Sequence, residues 1–180
     1  MNICVFCGSA TGVNPVYAES ARELGSVLAK SSHSLVYGGG NIGLMGILAD
    51  SVLYNNGEVI GVIPDFLLKR EVGHRGVSRL EIVESMHERK KRMADLADAF
   101  IAMPGGWGTL DELAEILTWR QLGIINQPIG LLNINQYFNP LLEQMRSMVR
   151  DGFLAADNIG FLRVEKSPER LLEQLIPQKA

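Results

Sequence analysis

Along the chain, short unbroken apolar runs alternate with longer stretches in which apolar positions recur every three or four residues among polar ones. Unbroken runs are the signature of strands buried on both faces, as in a parallel sheet, and the mixed stretches read as amphipathic helices. The runs predict strands at Ile3–Cys7, Leu35–Tyr37, Val59–Ile63, Glu81–Val83, Ala99–Met103, Ile129–Leu132 and Phe161–Val164. Asn14-Pro15 reads as an N-cap followed by proline at the first helical position, opening a helix to about Lys30, and Ser167-Pro168 repeats the device near the C-terminus. A second helix is expected from Gly43 to Asn55, stopped by Asn56-Gly57. Ser85-Met86-His87-Glu88 fits a capping box, so a helix runs from there to about Leu96. Helices over Leu110–Leu122 and Tyr137–Arg150 complete the set, while Lys69-Arg70-Glu71 reads as loop and Pro177 onward as a frayed tail. Alternating strands and helices imply an α/β fold, a doubly wound Rossmann-like parallel sheet with helices on both faces. Ligands in such a fold sit at the carboxyl ends of the strands.

At 180 residues, 47% hydrophobic and 21% charged, the chain has the size and composition of a single well-buried domain, read here as residues 1–180. A net charge of -3 without long like-charged blocks excludes the broad basic face of a duplex nucleic-acid binder. No stretch is long enough for a membrane span and no basic leader precedes the first apolar run, so a cytoplasmic protein is expected, with no nucleic acid or membrane partner. The two cysteines, Cys4 and Cys7, form C-x-x-C, but on a strand residues three apart point to opposite faces. Both are read as core packing, and no metal site is expected.

Three loops rich in glycine or small residues follow predicted strands: Gly8 to Gly12 with Ser9, Gly38-Gly39-Gly40 leading to Gly43, and Pro104-Gly105-Gly106-Trp107-Gly108-Thr109. Each alone is explained by tight turns, but three on one rim suggest a nucleotide-sized pocket. Gly38, Gly40 and Gly43 satisfy G-x-G-x-x-G, but in the second βα unit, and the acid expected after the following strand would have to be Asp65, just past Pro64. A mononucleotide between two glycine loops fits better than a dinucleotide. The third loop opens a helix whose early residues include Asp111 and Glu112, so free amides for a phosphate lie beside an acid. Asp111 has the ordinary role of an acid at a helix start. Four cations, Arg89 to Arg92, follow the Ser85 cap; cations there are mildly unfavourable, which suggests an anionic partner for Arg89 and Lys90. Lys91 and Arg92 read as a solvated face, Glu71, His74 and His87 as surface residues, and Trp119 as packing.

Taken together, Cys7-Gly8-Ser9, Gly38-Gly39-Gly40 leading to Gly43-Leu44-Met45-Gly46, Val62-Ile63-Pro64, Met86 to Lys90 and Pro104 to Glu112 closely resemble the Lonely Guy family of cytokinin-activating nucleotide phosphoribohydrolases. The resemblance covers nearly the whole chain and rests on P-G-G-x-G-T-x-x-E coupled to an upstream R-K pair. It implies hydrolysis of the N-glycosidic bond of a nucleoside 5′-monophosphate, such as AMP or an N6-modified AMP, to free base and ribose 5-phosphate, without a cofactor. Arg89 and Glu112 would be the catalytic pair. Glu71, Lys90, Gly105, Gly106, Trp107, Gly108, Thr109, Leu110, Asp111, Ser9, Gly39, Gly40 and Thr118 would line the substrate site. Glu112 would stabilise an oxocarbenium-like state and steer water, while Arg89 would either stabilise the departing base or anchor the substrate. Trp107 stands where the family often has tyrosine. The family also implies a homodimer with sites near the interface. The lysine decarboxylase label often given to such chains has no support here, since no Schiff-base lysine context is visible. Two other readings compete: a non-catalytic nucleotide or cofactor carrier of the same fold, and a nicotinamide oxidoreductase resting on Gly38, Gly40 and Gly43.

Overall fold

In a computed structural model that describes residues 1–71 and 73–176, seven parallel strands form one sheet in the order β4-β3-β2-β1-β5-β6-β7. The strands are β1 (Asn2–Phe6), β2 (Ser34–Tyr37), β3 (Val59–Pro64), β4 (Arg79–Val83), β5 (Ala99–Ala102), β6 (Ile129–Leu132) and β7 (Leu162–Glu165). All seven predicted strands are present, Ile129–Leu132 with its expected bounds and the other six shifted by one or two residues at one or both ends. β1, β2, β3, β5 and β6 are buried almost throughout, because helices cover both faces and the core requires apolar side chains on each.

Helices α1 (Val16–Lys30), α2 (Gly43–Tyr54) and α8 (Pro168–Leu175) cover one face, and α4 (Met86–Leu96), α5 (Trp107–Gln121) and α6 (Asn139–Arg150) the other, with a single turn, α7 (Asp157–Gly160), leading into β7. Cys4 packs in the second layer and Cys7 in the first, so the two thiols face opposite ways as strand geometry requires. The Asn14 side chain caps α1 by accepting from the Val16 amide at 3.1 Å. Asn56, at φ 60, turns the chain out of α2.

Three expectations are corrected. The stretch after Pro64 is helix α3 (Asp65–Glu71), not loop: Pro64 ends the strand and Asp65 starts the helix with no intervening turn. Helix α5 begins at Trp107, three residues before Leu110, so Gly108 and Thr109 belong to its first turn rather than to the loop. His74 is buried, its Nε2 2.9 Å from Asp50 and its Nδ1 accepting from the Gly76 amide, which satisfies both ring nitrogens inside the fold. The expected frayed tail from Pro177 lies outside the described residues. No helix among the described residues is long and apolar enough to cross a membrane.

The order of strands places the topological switch between β1 and β5, whose onward connections run to opposite sides of the sheet. The first and third glycine loops leave the sheet at that crevice.

Candidate active site

The crevice is built from backbone first. The Met103 amide donates to the Phe6 carbonyl at 2.9 Å and the Gly8 amide to the Pro104 carbonyl at 3.1 Å, carrying the β1–β5 pairing into the loops. The loops approach so closely that a Cβ on Gly105 would lie 2.8 Å from the Gly8 nitrogen and run into the Thr109 hydroxyl. Glycine is therefore required there. The Leu44 amide donates to the Gly8 carbonyl at 3.0 Å, which fastens the start of α2 to the same loop.

Arg89 enters from α4. The Ser85 hydroxyl caps that helix by accepting from the Glu88 amide at 3.1 Å, and the Glu88 carboxylate accepts from the Glu84 amide at 2.8 Å. One turn in, Arg89 points under the rim of the sheet and is only 6% exposed. Its Nε donates to the Val62 carbonyl at 3.1 Å and its Nη2 to the Gly38 carbonyl at 2.6 Å. A Cβ at Gly38 would overlap the guanidinium, so the second glycine loop makes room for this side chain. Nη1 touches the Met86 sulfur at 3.8 Å.

Glu112 faces the same space from α5. A cavity of about 160 Å³ is lined by both side chains together with Ser9, Trp107 and Thr109. Burial pushes the Glu112 carboxyl up to about 7; Arg89 and Lys90 pull it down, and Asp111 and Glu115 push it further up. Burial, with the Glu112 charge added, also raises the thiol of Cys7 on the cavity wall, so that it stays protonated and is no nucleophile. At the mouth, the helical amides of Trp107, Gly108 and Thr109 have no carbonyl one turn earlier to bond, and a Cβ added at Gly106 or Gly108 would meet nothing within 4 Å. An anion has open access to the positive end of α5.

Several expected site residues lie elsewhere. Gly39 and Gly40 are buried behind the cavity wall, Gly40 bridged to Gly73. Lys90 is paired with Asp111 at 3.1 Å and Glu115 at 3.3 Å beside the cavity. Leu110 and Thr118 are on the outer side of α5, in an apolar groove shared with α6. Helical geometry explains this, because at roughly 100° per residue neither shares a face with Glu112. The Glu71 side chain lies outside the described residues. Sequence reasoning missed Glu115, whose spacing from Asp111 and Glu112 was a signal, and Tyr137, which carried none. The Tyr137 hydroxyl donates to the Gly105 carbonyl and braces the third loop, and its ring meets Tyr17 edge-on across an adjoining cavity of about 280 Å³.

A family model described as "Possible lysine decarboxylase" matches residues 45–175. The chain is 50% identical over 179 residues to "Cytokinin riboside 5'-monophosphate phosphoribohydrolase LOG" of Oryza sativa subsp. japonica, covering 98% of this chain and 74% of that protein. The chain belongs to the Lonely Guy family. A further LOG relative, "Cytokinin riboside 5'-monophosphate phosphoribohydrolase LOG7" of Arabidopsis thaliana, is 48% identical over 153 residues, 85% of this chain and 70% of that protein. Among solved structures, the molybdenum cofactor binding protein from the phototrophic bacterium Rippkaea orientalis matches with a TM-score of 0.69 at 22% identity, over 96% of this chain and 91% of that one. The molybdenum cofactor carrier protein from Chlamydomonas reinhardtii also gives 0.69, at 20% identity over 98% of each chain. These structures share the LOG fold. The decarboxylase wording finds no support at Lys90: burial lowers its pKa, but the hydrogen bonds to Asp111 and Glu115 outweigh this and raise it. A Schiff-base lysine needs the opposite, a neutral amine.

Proposed function

We propose that this LOG-family chain is a cytoplasmic nucleoside 5′-monophosphate phosphoribohydrolase acting on AMP and its N6-modified forms. The reading rests above all on Arg89 and Glu112 sharing one cavity beside the open start of α5. The similar plant proteins, named for the same activity, support it.

The 5′-phosphate binds the amides of Trp107, Gly108 and Thr109, so binding energy far from the reacting bond orients the sugar. The C1′–N bond then breaks and its electron pair leaves with the base. Ionised Glu112 stabilises the oxocarbenium-like sugar and takes a proton from the attacking water, whose oxygen bonds C1′ and whose proton ends on the base. Arg89, fixed by the Val62 and Gly38 carbonyls, sets a permanent positive charge against the negative charge of the departing group.

The active form is a homodimer. Thr118 lies in the outer apolar groove of α5, so it serves a nucleotide site only if a second copy places its α5 against the cavity.

Chromatography after incubation with AMP and isopentenyladenosine monophosphate should show free base, with the unphosphorylated nucleosides turned over far more slowly. Glu112→Gln should cut release by roughly 100-fold or more while nucleotide still binds. Equal turnover of nucleosides would remove the phosphate role of α5. Tight nucleotide binding without any release would instead favour a carrier.

A further inference from the structure

Arg89 and Glu112 stand on two helices, α4 and α5, that lie on the same face of the sheet. Their buried side chains Met93, Ala94, Leu113 and Ile116 belong to one apolar layer, which fixes the two helices beneath but leaves their polar faces to be aligned by other means. A polar bridge joins them as well: Lys90, which follows Arg89 on α4, reaches Asp111 and Glu115 on α5, the residues one before and one turn after Glu112. The Lys90 side chain is 14% exposed and that of Glu115 25%, so this bridge is better shielded than the surface pairs Lys69–Asp65 and Lys91–Asp95.

We propose that Glu115 is a positioning residue: through Lys90 it clamps α5 to α4 and so holds Glu112 opposite Arg89. The proposal deepens the hydrolase reading and rests on it for its kinetic consequences. Asp111 alone could not do the same, since its side chain is 60% exposed. Glu115 is the more enclosed partner, and among the described residues Lys90 is the cation of the clamp.

The clamp also sets the charge around Glu112. Arg89 and Lys90 face Glu112 from α4, Asp111 and Glu115 share its helix, and on the β1 side Cys7 lines the same cavity while the buried Cys4, facing the other way from Cys7, is close enough to feel the Glu112 charge. Of these, Arg89 and Lys90 favour the carboxylate, and Asp111 and Glu115 oppose it. Removing Glu115 thus loosens the geometry but makes Glu112 easier to ionise. Removing Lys90 loosens it and makes Glu112 harder to ionise.

The test compares Glu115→Gln, Glu115→Ala and Lys90→Met with the parent protein in two measurements. In kcat/KM against pH, the acid limb should move to lower pH for both Glu115 variants and to higher pH for Lys90→Met, by on the order of one pH unit or less. The kcat plateau should fall several-fold for Glu115→Ala and be partly rescued in Glu115→Gln, which keeps an acceptor for Lys90. A carbon-13 carboxyl NMR titration of Glu112 reads the same opposite shifts without turnover. If the parent released no base, the hydrolase reading would fail while the titration still judged the clamp. Acid limbs and titrations that move the same way in all variants, or an unchanged kcat in Glu115→Ala, would overturn the clamp. General loosening of the fold predicts no such opposition of sign.

Discussion

Glu112 is a carboxyl kept near neutrality by its own burial, and its ionisation works against the fold that the reaction needs. Its pKa is raised from 4.5 to about 7, which at 1.36 kcal/mol per pH unit corresponds to roughly 3 kcal/mol. The sign follows from proton binding: between those values the folded chain holds a proton that the unfolded chain has released. The contribution to stability is complete below pH 4.5 and is lost as pH rises through about 7. Glu112→Gln, whatever its turnover, should therefore melt at a higher temperature than the parent at pH 8, with the gain shrinking toward pH 5 in a scanning-fluorimetry series. A Glu112→Gln variant that melts lower at pH 8 would mean that the carboxylate is stabilised where it sits. Arg89 has the complementary constraint. Arg89→Lys keeps the charge but cannot reach both the Val62 and Gly38 carbonyls, so it should cost about 1–3 kcal/mol in denaturant unfolding and lower base release at the same time.

At the level of elements, the sequence is legible wherever a local rule dictates the outcome. Val59–Pro64 is buried at every position and can be read as nothing but an interior strand. The Ser85 cap is equally local, with Glu88 three residues on. Helix α3 has no local mark, because no cap or turn separates it from β3, and its i,i+4 pair of Asp65 and Lys69, 3.2 Å apart, exists only once the helix has formed. The start of α5 was set too late because Gly106 and Gly108 signal a loop, although a glycine is tolerated in a first turn whose amides are meant for a ligand. The meeting of Arg89 and Glu112 in one cavity is legible through motif, but its surroundings are not: the depth of Arg89, the partners of Lys90 and the burial of His74 depend on residues that only the tertiary fold brings near. The capping box also makes a prediction at this scale. Ser85→Ala should destabilise by about 0.5–2 kcal/mol, and because Arg89 lies in the turn that the cap fixes, turnover should fall more than stability explains. A variant that unfolds more easily yet turns over normally at low temperature would separate the cap from the site.

The whole molecule leaves apolar surface where the proposed second copy would dock. Between α5 and α6 runs a groove of about 310 Å³ lined by Leu110, Leu117, Thr118, Met145 and Met148. Leu122, Ile124 and Phe153, in the segments that follow these two helices, are 65%, 63% and 86% exposed. An apolar groove this size, with Leu122 next in sequence to its lining residue Gln121 and Phe153 next to its lining residue Leu154, fits an interface better than scattered surface hydrophobes. A dimer closed through this face would bury them and carry Thr118 of each copy toward the partner's cavity, whose own lining includes Trp107, 88% exposed in a single copy. Light scattering should accordingly give twice the chain mass, and Leu117→Glu, which puts a charge into the groove without touching Arg89 or Glu112, should give a monomer that melts cooperatively but releases base at least tenfold more slowly at subsaturating substrate. Thr118→Ala should leave the dimer intact and raise KM with little change in kcat. A parent protein that is monomeric at assay concentration and fully active would show that each cavity is complete on its own, and Thr118 would then have no place in the site.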